Sequence, residues 1–337
     1  MKKTGKISSS SAPVVAILLS VLSLLSFSFT AAAQSDPIFT WHRELPTLHN
    51  PAAAGDTEWL RIRGTARMQW VGITNAPKTF AAAADTPFKI ADKRGGAGVT
   101  ILQESLGLFS NLLVSAQGSY KLKFLKGQLG IGIQAGYYNS GFRGSDVYIP
   151  DDDDYHDPDD PSIPTQDLSG NAFDLSIGLL YSRKAFFIGL SGMHLTSPVV
   201  NLQQEGSDAS DAVQYETTLP RTLYFETGGN IELKNTLFLL QPDLLVASDF
   251  DTFSANISMR ATYNRFLSFG LGYRWKDAVS LMVGAEYKNF FLGYAYDYPL
   301  SAIARGSSGS HEIVAGYSLK INLTGKNRNR HRSIRIM

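Results

Sequence analysis

From about residue 59 to residue 323, apolar and polar positions alternate with a period of two, in some fourteen runs of roughly nine to thirteen residues separated by turns. A period of two is the repeat of a β-strand, whose successive side chains point to opposite faces. Residues 128–138 show it plainly: Leu129, Ile131, Ile133, Ala135 and Tyr137 share one face, and Gly130, Gly132, Gln134, Gly136 and Tyr138 the other. Likewise Phe173, Leu175, Ile177, Leu179 and Tyr181 alternate with Asp174, Ser176 and Gly178. The pattern predicts an all-β chain, a transmembrane antiparallel β-barrel of about 14 strands with one face toward lipid and the other toward a wet or filled lumen. A soluble β-sandwich or lipocalin-like barrel is the competing architecture, but those rarely run to fourteen strands.

The strands are predicted to begin near Trp59, Lys78, Gly95, Asn111, Gly127, Asn171, Ala185, Arg221, Thr236, Thr252, Arg265, Ala278, Phe290 and Gly309. An even number brings both ends of the barrel to one side, so the N- and C-termini are expected in the periplasm. Loop lengths sort by the same parity. The tight connections Arg183-Lys184, Lys234-Asn235, Asn264-Arg265 and Lys288-Asn289 fall on the periplasmic side, and the long ones, residues 139–170 and 195–220, on the outer side. Charges fall opposite the apolar residues, so Glu226, Glu232, Arg260, Arg274, Glu286, Asp297 and Glu312 are expected to face the lumen.

Composition supports this reading. A mean hydropathy of −0.08 would be low for a helical membrane protein, and no segment beyond the N-terminal one has 18 consecutive apolar residues; a barrel needs only every second residue apolar. The 15 Tyr and 19 Phe suit interfacial girdles, and the 30 Gly suit curved strands. Formal net charge is +1, which gives no electrostatic case for nucleic acid. Residues 1–33 carry Lys2, Lys3 and Lys6, an apolar stretch from Pro13 to Phe29, and Ala31-Ala32-Ala33, the layout of a cleaved signal peptide. With 0 Cys there is no disulfide framework, lipid-attachment site or thiolate metal site. The resulting organisation is signal peptide 1–33, a periplasmic or plug segment 34–58, the barrel 59–323, and a basic tail 324–337, in an exported chain destined for the outer membrane.

Residues 34–58 are too rich in Pro and Ala for a barrel strand. Asp36, Pro37 and Phe39 open the segment, and Asn50, Pro51 and Gly55 close it, with Asn50-Pro51 expected to mark a turn. Together with Arg67-Met68-Gln69-Trp70, Pro77-Lys78, Tyr296-Asp297 in an aromatic run, and His311-Glu312 after Gly309-Ser310, these motifs resemble the PorP/SprF family of type IX secretion system membrane proteins, in order and over essentially the whole mature chain. The resemblance implies a non-enzymatic outer-membrane barrel, surrounded by outer-membrane lipid, that works with the type IX export and gliding apparatus. The implied partners are a large secreted surface protein with a type IX C-terminal signal domain and the periplasmic ring and motor components; no cofactor is implied. The basic tail after the last strand departs from the family pattern.

Each motif also has a structural reading. Arg67 and Gln69 serve equally as lumen-facing residues, Trp70 as an interfacial anchor, and the Tyr294, Tyr296, Tyr298 stripe as girdle or packing. The acidic residues 151–160 offer carboxylates to calcium but lack the spaced ligand pattern, which favours a solvated loop. For catalysis, the candidates His194 with Ser197 and His311 with Glu312 fit no recognised motif, and there is no Gly-rich phosphate loop. The functional alternative is a diffusion channel for small solutes. Partner contacts are expected on the loops 139–170 and 195–220 outside, and on residues 34–55, the loop 86–94 and the tail 326–335 below.

Overall fold

The computed structural model describes residues 36–90, 93–147, 164–204, 215–234 and 236–323. Seventeen strands follow in chain order: β1 (Trp59–Met68), β2 (Lys78–Ile90), β3 (Lys93–Leu106), β4 (Phe109–Phe124), β5 (Gly127–Phe142), β6 (Leu168–Ser182), β7 (Phe186–Met193), β8 (Val199–Gln204), β9 (Tyr215–Thr218), β10 (Thr222–Gly229), β11 (Ile231–Glu232), β12 (Phe238–Ser248), β13 (Phe253–Tyr263), β14 (Leu267–Arg274), β15 (Ala278–Tyr287), β16 (Phe290–Pro299) and β17 (Ser310–Lys320). Fourteen of them pair antiparallel with their neighbours around a closed barrel, and β1 seals it against β17 from Trp59↔Lys320 to Met68↔His311. All fourteen expected strand starts lie within three residues of these. The other three are not barrel staves. β11 continues β10 past Pro242, which has no N–H to give the ladder, and β8 and β9 form a hairpin bridged to β6.

Closure leaves two walls of opposite character. Along β5, Ile133 is 65% exposed on the outer wall while Gln134 is 2% exposed within. Closure satisfies every stave's backbone without an edge, which permits an apolar outer wall. Aromatic pairs ring the short-turn end (Phe124–Tyr181, Tyr181–Phe186, Phe238–Tyr263, Phe290–Tyr317) and others stand at the opposite end (Phe109–Phe142, Tyr273–Trp275), as interfacial girdles do. Both residues of the Asn264-Arg265 and Lys288-Asn289 turns are at positive φ, as are Leu125 and Lys126 between β4 and β5; the opposite end carries the long connections but also short turns at Gly107-Leu108 and residues 275–277.

Four expectations change. Residues 86–94 are not a loop, because β2 and β3 run on to Ile90 and Lys93 and pair there. Residues 195–220 are not wholly free: Val200 and Leu202 are buried against Leu113, Tyr138 and Leu168, so the hairpin folds inward over the long-loop mouth to cover apolar surface the lumen would otherwise expose. Glu232 and Glu286 keep the inward parity but sit exposed at the short-turn mouth, where the strands end. β1 begins and β17 ends at the short-turn end, yet the described chain begins at the opposite end, because residues 36–56 cross the lumen before β1 starts. The signal-peptide region, the acidic residues 151–160 and the tail lie outside the described residues.

Candidate functional site

Residues 36–56 run through the lumen as a plug of three single 3₁₀ turns: His42–Glu44, Pro46–Leu48 and Pro51–Ala53. Frequent Pro and the absence of a long periodic run keep it from becoming a helix. Asn50 starts the last turn with its side chain accepting from Ala52 N at 2.9 Å, and Pro51 occupies the first position, where no N–H is needed. The same Asn50 amide donates to Glu226 at 2.8 Å and to the Leu179 carbonyl at 3.1 Å, so a side chain with 0% exposure has its polar atoms met. Ile38, Phe39, Trp41, Leu45, Ala52, Ala53 and Ala54 are buried with it.

Toward the long-loop end the plug is held by charge. Glu312 of β17 accepts from the backbone N–H of Thr40 (2.7 Å) and Trp41 (2.8 Å), and Thr40 Oγ1 donates to Asp297 of β16 (2.9 Å). Arg67 of β1 bridges the two carboxylates, 2.6 Å from Asp297 and 3.1 Å from Glu312, and Arg274 of β14 adds a contact to Asp297 (3.5 Å) and one to the Ile38 carbonyl (3.3 Å). One turn on, Glu44 pairs with Arg260 (2.7 Å) and Arg63 (3.4 Å), while Arg260 lies over the Trp41 ring at 5.4 Å. Burial opposes ionisation of Glu44, yet the Arg260 and Arg63 guanidinium groups hold its carboxyl below the usual range. His42 meets Asp243 (3.3 Å), and His49 meets Glu226 (3.0 Å). Burial disfavours the His42 imidazolium, but the Asp243 carboxylate outweighs it and raises the pKa.

At its start the plug is tied by a carboxylate–imidazole–carboxylate chain. His194, in the turn after β7, faces Asp174 through Nδ1 (3.0 Å) and Asp36 through Nε2 (3.4 Å), and Tyr224 donates to Asp36 (2.8 Å). Burial works against charge on both partners, yet each stabilises the other: Asp36 is lowered and His194 is raised to about 10. Two small cavities, about 40 and 30 Å³, flank this tie. Toward the short-turn end the plug backbone lies against glycines. Gly96, Gly132 and Gly178 face Ala54, Ala52 and Asn50 so closely that a methyl group at any of them would overlap plug atoms. Gly55, at φ +61°, donates to Asp85 (2.9 Å), which also holds Arg61 (3.1 Å).

The expected site residues therefore divide. Asp36, Phe39, Asn50, Pro51, Gly55, Arg67, Asp297 and Glu312 all lie in the lumen, with Pro37 half-buried, but of these only Arg67, Asp297 and Glu312 join in one cluster, while Asp36 and Gly55 are held at opposite ends. Gln69, Trp70, Pro77 and Lys78 sit at the long-loop rim, where Gln69 N donates to the Pro77 carbonyl (2.9 Å), Trp70 N to Ser310 (3.2 Å), and Lys78 is exposed. Tyr296 and His311 lie side by side on the outer wall, their ring centroids 5.3 Å apart and their planes inclined by 55°. Neither proposed histidine pair assembles: both His194 nitrogens face carboxylates while Ser197 donates to the Leu219 carbonyl, and His311 points outward to Tyr294 (2.7 Å) while Glu312 points inward. Sequence reasoning missed Asp36's partner His194, and also Glu44, His42 and His49. The available signal was the set of inward strand charges, which require buried counter-charges, next to a segment that supplied them.

No curated protein matches the chain. Among solved structures it is similar to the Ralstonia pickettii toluene transporter TbuX (13% identity, 87% of this chain and 96% of that one, TM-score 0.47). It is also similar to the Pseudomonas putida toluene transporter TodX (10%, 84% and 94%, 0.44) and the Acinetobacter baumannii outer membrane protein Omp33 (8%, 78% and 97%, 0.42). At these scores they add nothing to the architecture read from strand pairing. The family described as "Type IX secretion system membrane protein PorP/SprF" matches residues 31–317. With a plugged fourteen-stranded barrel and that match across most of its length, the chain belongs to the PorP/SprF family of type IX secretion system membrane proteins.

Proposed function

We propose that this outer-membrane barrel is a non-enzymatic component of the type IX secretion and gliding apparatus, which helps export or anchor large secreted surface proteins and meets the periplasmic subunits of that machinery. The observation that carries this reading is the plug. A lumen occupied by residues 36–56, with Arg67, Asp297 and Glu312 at 2% exposure or less, suits a scaffold better than a pore. The long-loop end faces outward and the short-turn end faces the periplasm, in keeping with the usual asymmetry of such barrels. Residues 1–33 are removed on export, and the termini of the barrel wall lie in the periplasm.

Deletion of the gene is expected to abolish surface display of particular large secreted proteins; normal display of all such cargo would sink the proposal. The channel reading is separated by planar-bilayer recording. The purified barrel is expected to be silent, and steady conductance by the intact protein would transfer the argument to solute uptake.

A further inference from the structure

At the short-turn end the plug does not fill the barrel. A cavity of about 850 Å³ opens there, walled by Arg43 and Ala53 of the plug, Leu180 of β6 and Phe187 of β7. That is the size of a built ligand pocket, which typically spans about 300–1,000 Å³. The acids on its wall are engaged. Asp56 accepts from Gln128 (3.1 Å) and Ser182 (3.0 Å), Glu226 from Asn50 (2.8 Å), and Asp243 from Ser258 (2.8 Å).

Of the cationic groups, His42 and Arg61 are paired with Asp243 and Asp85, but those at the mouth are not. Lys123 and Lys126 at the β4–β5 turn and Arg183 and Lys184 at the β6–β7 turn all line the mouth, and among the described residues no carboxylate pairs with any of them. Arg43 turns its guanidinium to the carbonyls of Gly229 (3.1 Å) and Pro242 (3.4 Å) and to Asn230 (2.9 Å), 5.3 Å above the Phe187 ring, and likewise meets no acid. Cations clustered on short turns beside apolar walls focus positive potential into the opening, and an entering carboxylate would form charge-assisted hydrogen bonds there.

We propose that this cavity is a binding site for an acidic, partly apolar polypeptide segment of a partner protein. Carboxylates would meet Lys123, Lys126, Arg183 and Lys184, and apolar side chains would meet Leu180, Ala53 and Phe187. A polypeptide is favoured over a lipid headgroup by position. The cavity lies inside the ring of strands, whereas Tyr181 and Phe186 mark the bilayer interface on the outer side of β6 and β7; Phe124, at the β4–β5 turn, reaches the rim of the cavity. That the partner is periplasmic rests on the orientation proposed above; the binding chemistry does not.

The test is fluorescence anisotropy on the full-length barrel in mild detergent at about 0.15 M salt, with a labelled short peptide of alternating Glu and Leu as probe and its Lys/Leu counterpart as control. Saturable binding of the acidic peptide alone is expected, weakened about tenfold or more, roughly 1.4 kcal/mol, by K123E/K126E/R183E/K184E. These substitutions lie on exposed turns, and unchanged heat-modifiable migration in gels verifies that the variant folds. The single change Lys184→Glu gives a smaller loss in the same direction. Equal binding of both peptides, equal affinity of wild type and variant, or a loss seen only toward anionic phospholipid vesicles would each overturn the proposal. Surface display by the deletion strain carrying the quadruple variant separates the two readings. Absent peptide binding with normal display removes this site and leaves the secretion role standing, while normal display in the deletion strain itself removes the secretion role and leaves the binding result intact.

Discussion

Where the first half of the plug meets β1, β14, β16 and β17 it is held by Arg67, Arg274, Asp297 and Glu312, whereas its second half rests on Gly96, Gly132 and Gly178 of β3, β5 and β6. The charged wall offers long side chains that reach across to backbone N–H groups and carboxylates. At the glycines there is no side chain, so plug atoms approach the sheet itself, while Gln117 and Lys121 of the intervening β4 donate to the Thr47 and Ala52 carbonyls. One wall fixes the plug by paired charge in a dry interior, the other by close fit together with these bonds. The first should therefore fail when a partner is removed and the second when an atom is added.

The largest effect is expected from Arg67→Met, which leaves Asp297 and Glu312 buried side by side with only Arg274 nearby. A broken buried pair costs about 3–5 kcal/mol, and the midpoint of thermal unfolding in detergent should fall accordingly. An unchanged midpoint would mean that water already screens the cluster.

Gly132→Ala should cost less, about 1–3 kcal/mol from overpacking against Ala52 and Pro51. It should also loosen the plug at the short-turn end, read as faster protease cleavage near residues 52–56 with the barrel intact. Cleavage at the wild-type rate would show that the plug can shift without loss.

The tie at residue 36 is predicted to be pH-dependent in two directions. His194 is raised from 6.5 to about 10 in the folded protein, so its contribution is complete below 6.5 and is lost as pH rises toward 10. Asp36 is lowered from 3.8, so its contribution is complete above that value and is lost as pH falls below it. Hydrogen exchange at residues 38–41 should therefore quicken above pH 6.5 in the wild type, and His194→Gln should flatten that limb. A profile identical in both proteins would assign the dependence elsewhere.

The smallest effect belongs to Arg143→Gln. Its pair with Asp146 (3.0 Å) is exposed on the long-loop end, and such pairs contribute about 0–1 kcal/mol. A large loss of stability here would undo the contrast between dry and solvated charge on which the first prediction depends.

Much of this was legible in the chain itself, for a definite reason. Alternation along residues 128–138 and 171–182 fixes which side chains face outward, because a one-residue slip would turn Ile133 inward and Gln134 out. The number of alternating runs gave the count of staves, and the lengths of the tightest and longest connections agreed with its parity. Of the plug, the sequence showed that residues 34–58 are no strand and that Asn50-Pro51 turns the chain, since those are local backbone properties. It also marked Arg67, Asp297 and Glu312 as inward-facing. It did not show that these three residues, 245 positions apart at the extremes, converge on Thr40 and Trp41. Nor did it show that His194 receives Asp36, that the hairpin of β8 and β9 folds inward, or that Lys123, Lys126, Arg183 and Lys184 surround an open cavity. Those relations depend on the closure of β17 against β1 and on the path of the plug across the lumen. Face and turn are written in neighbouring residues, whereas the pairing of a buried charge is decided only when the barrel closes and water leaves it.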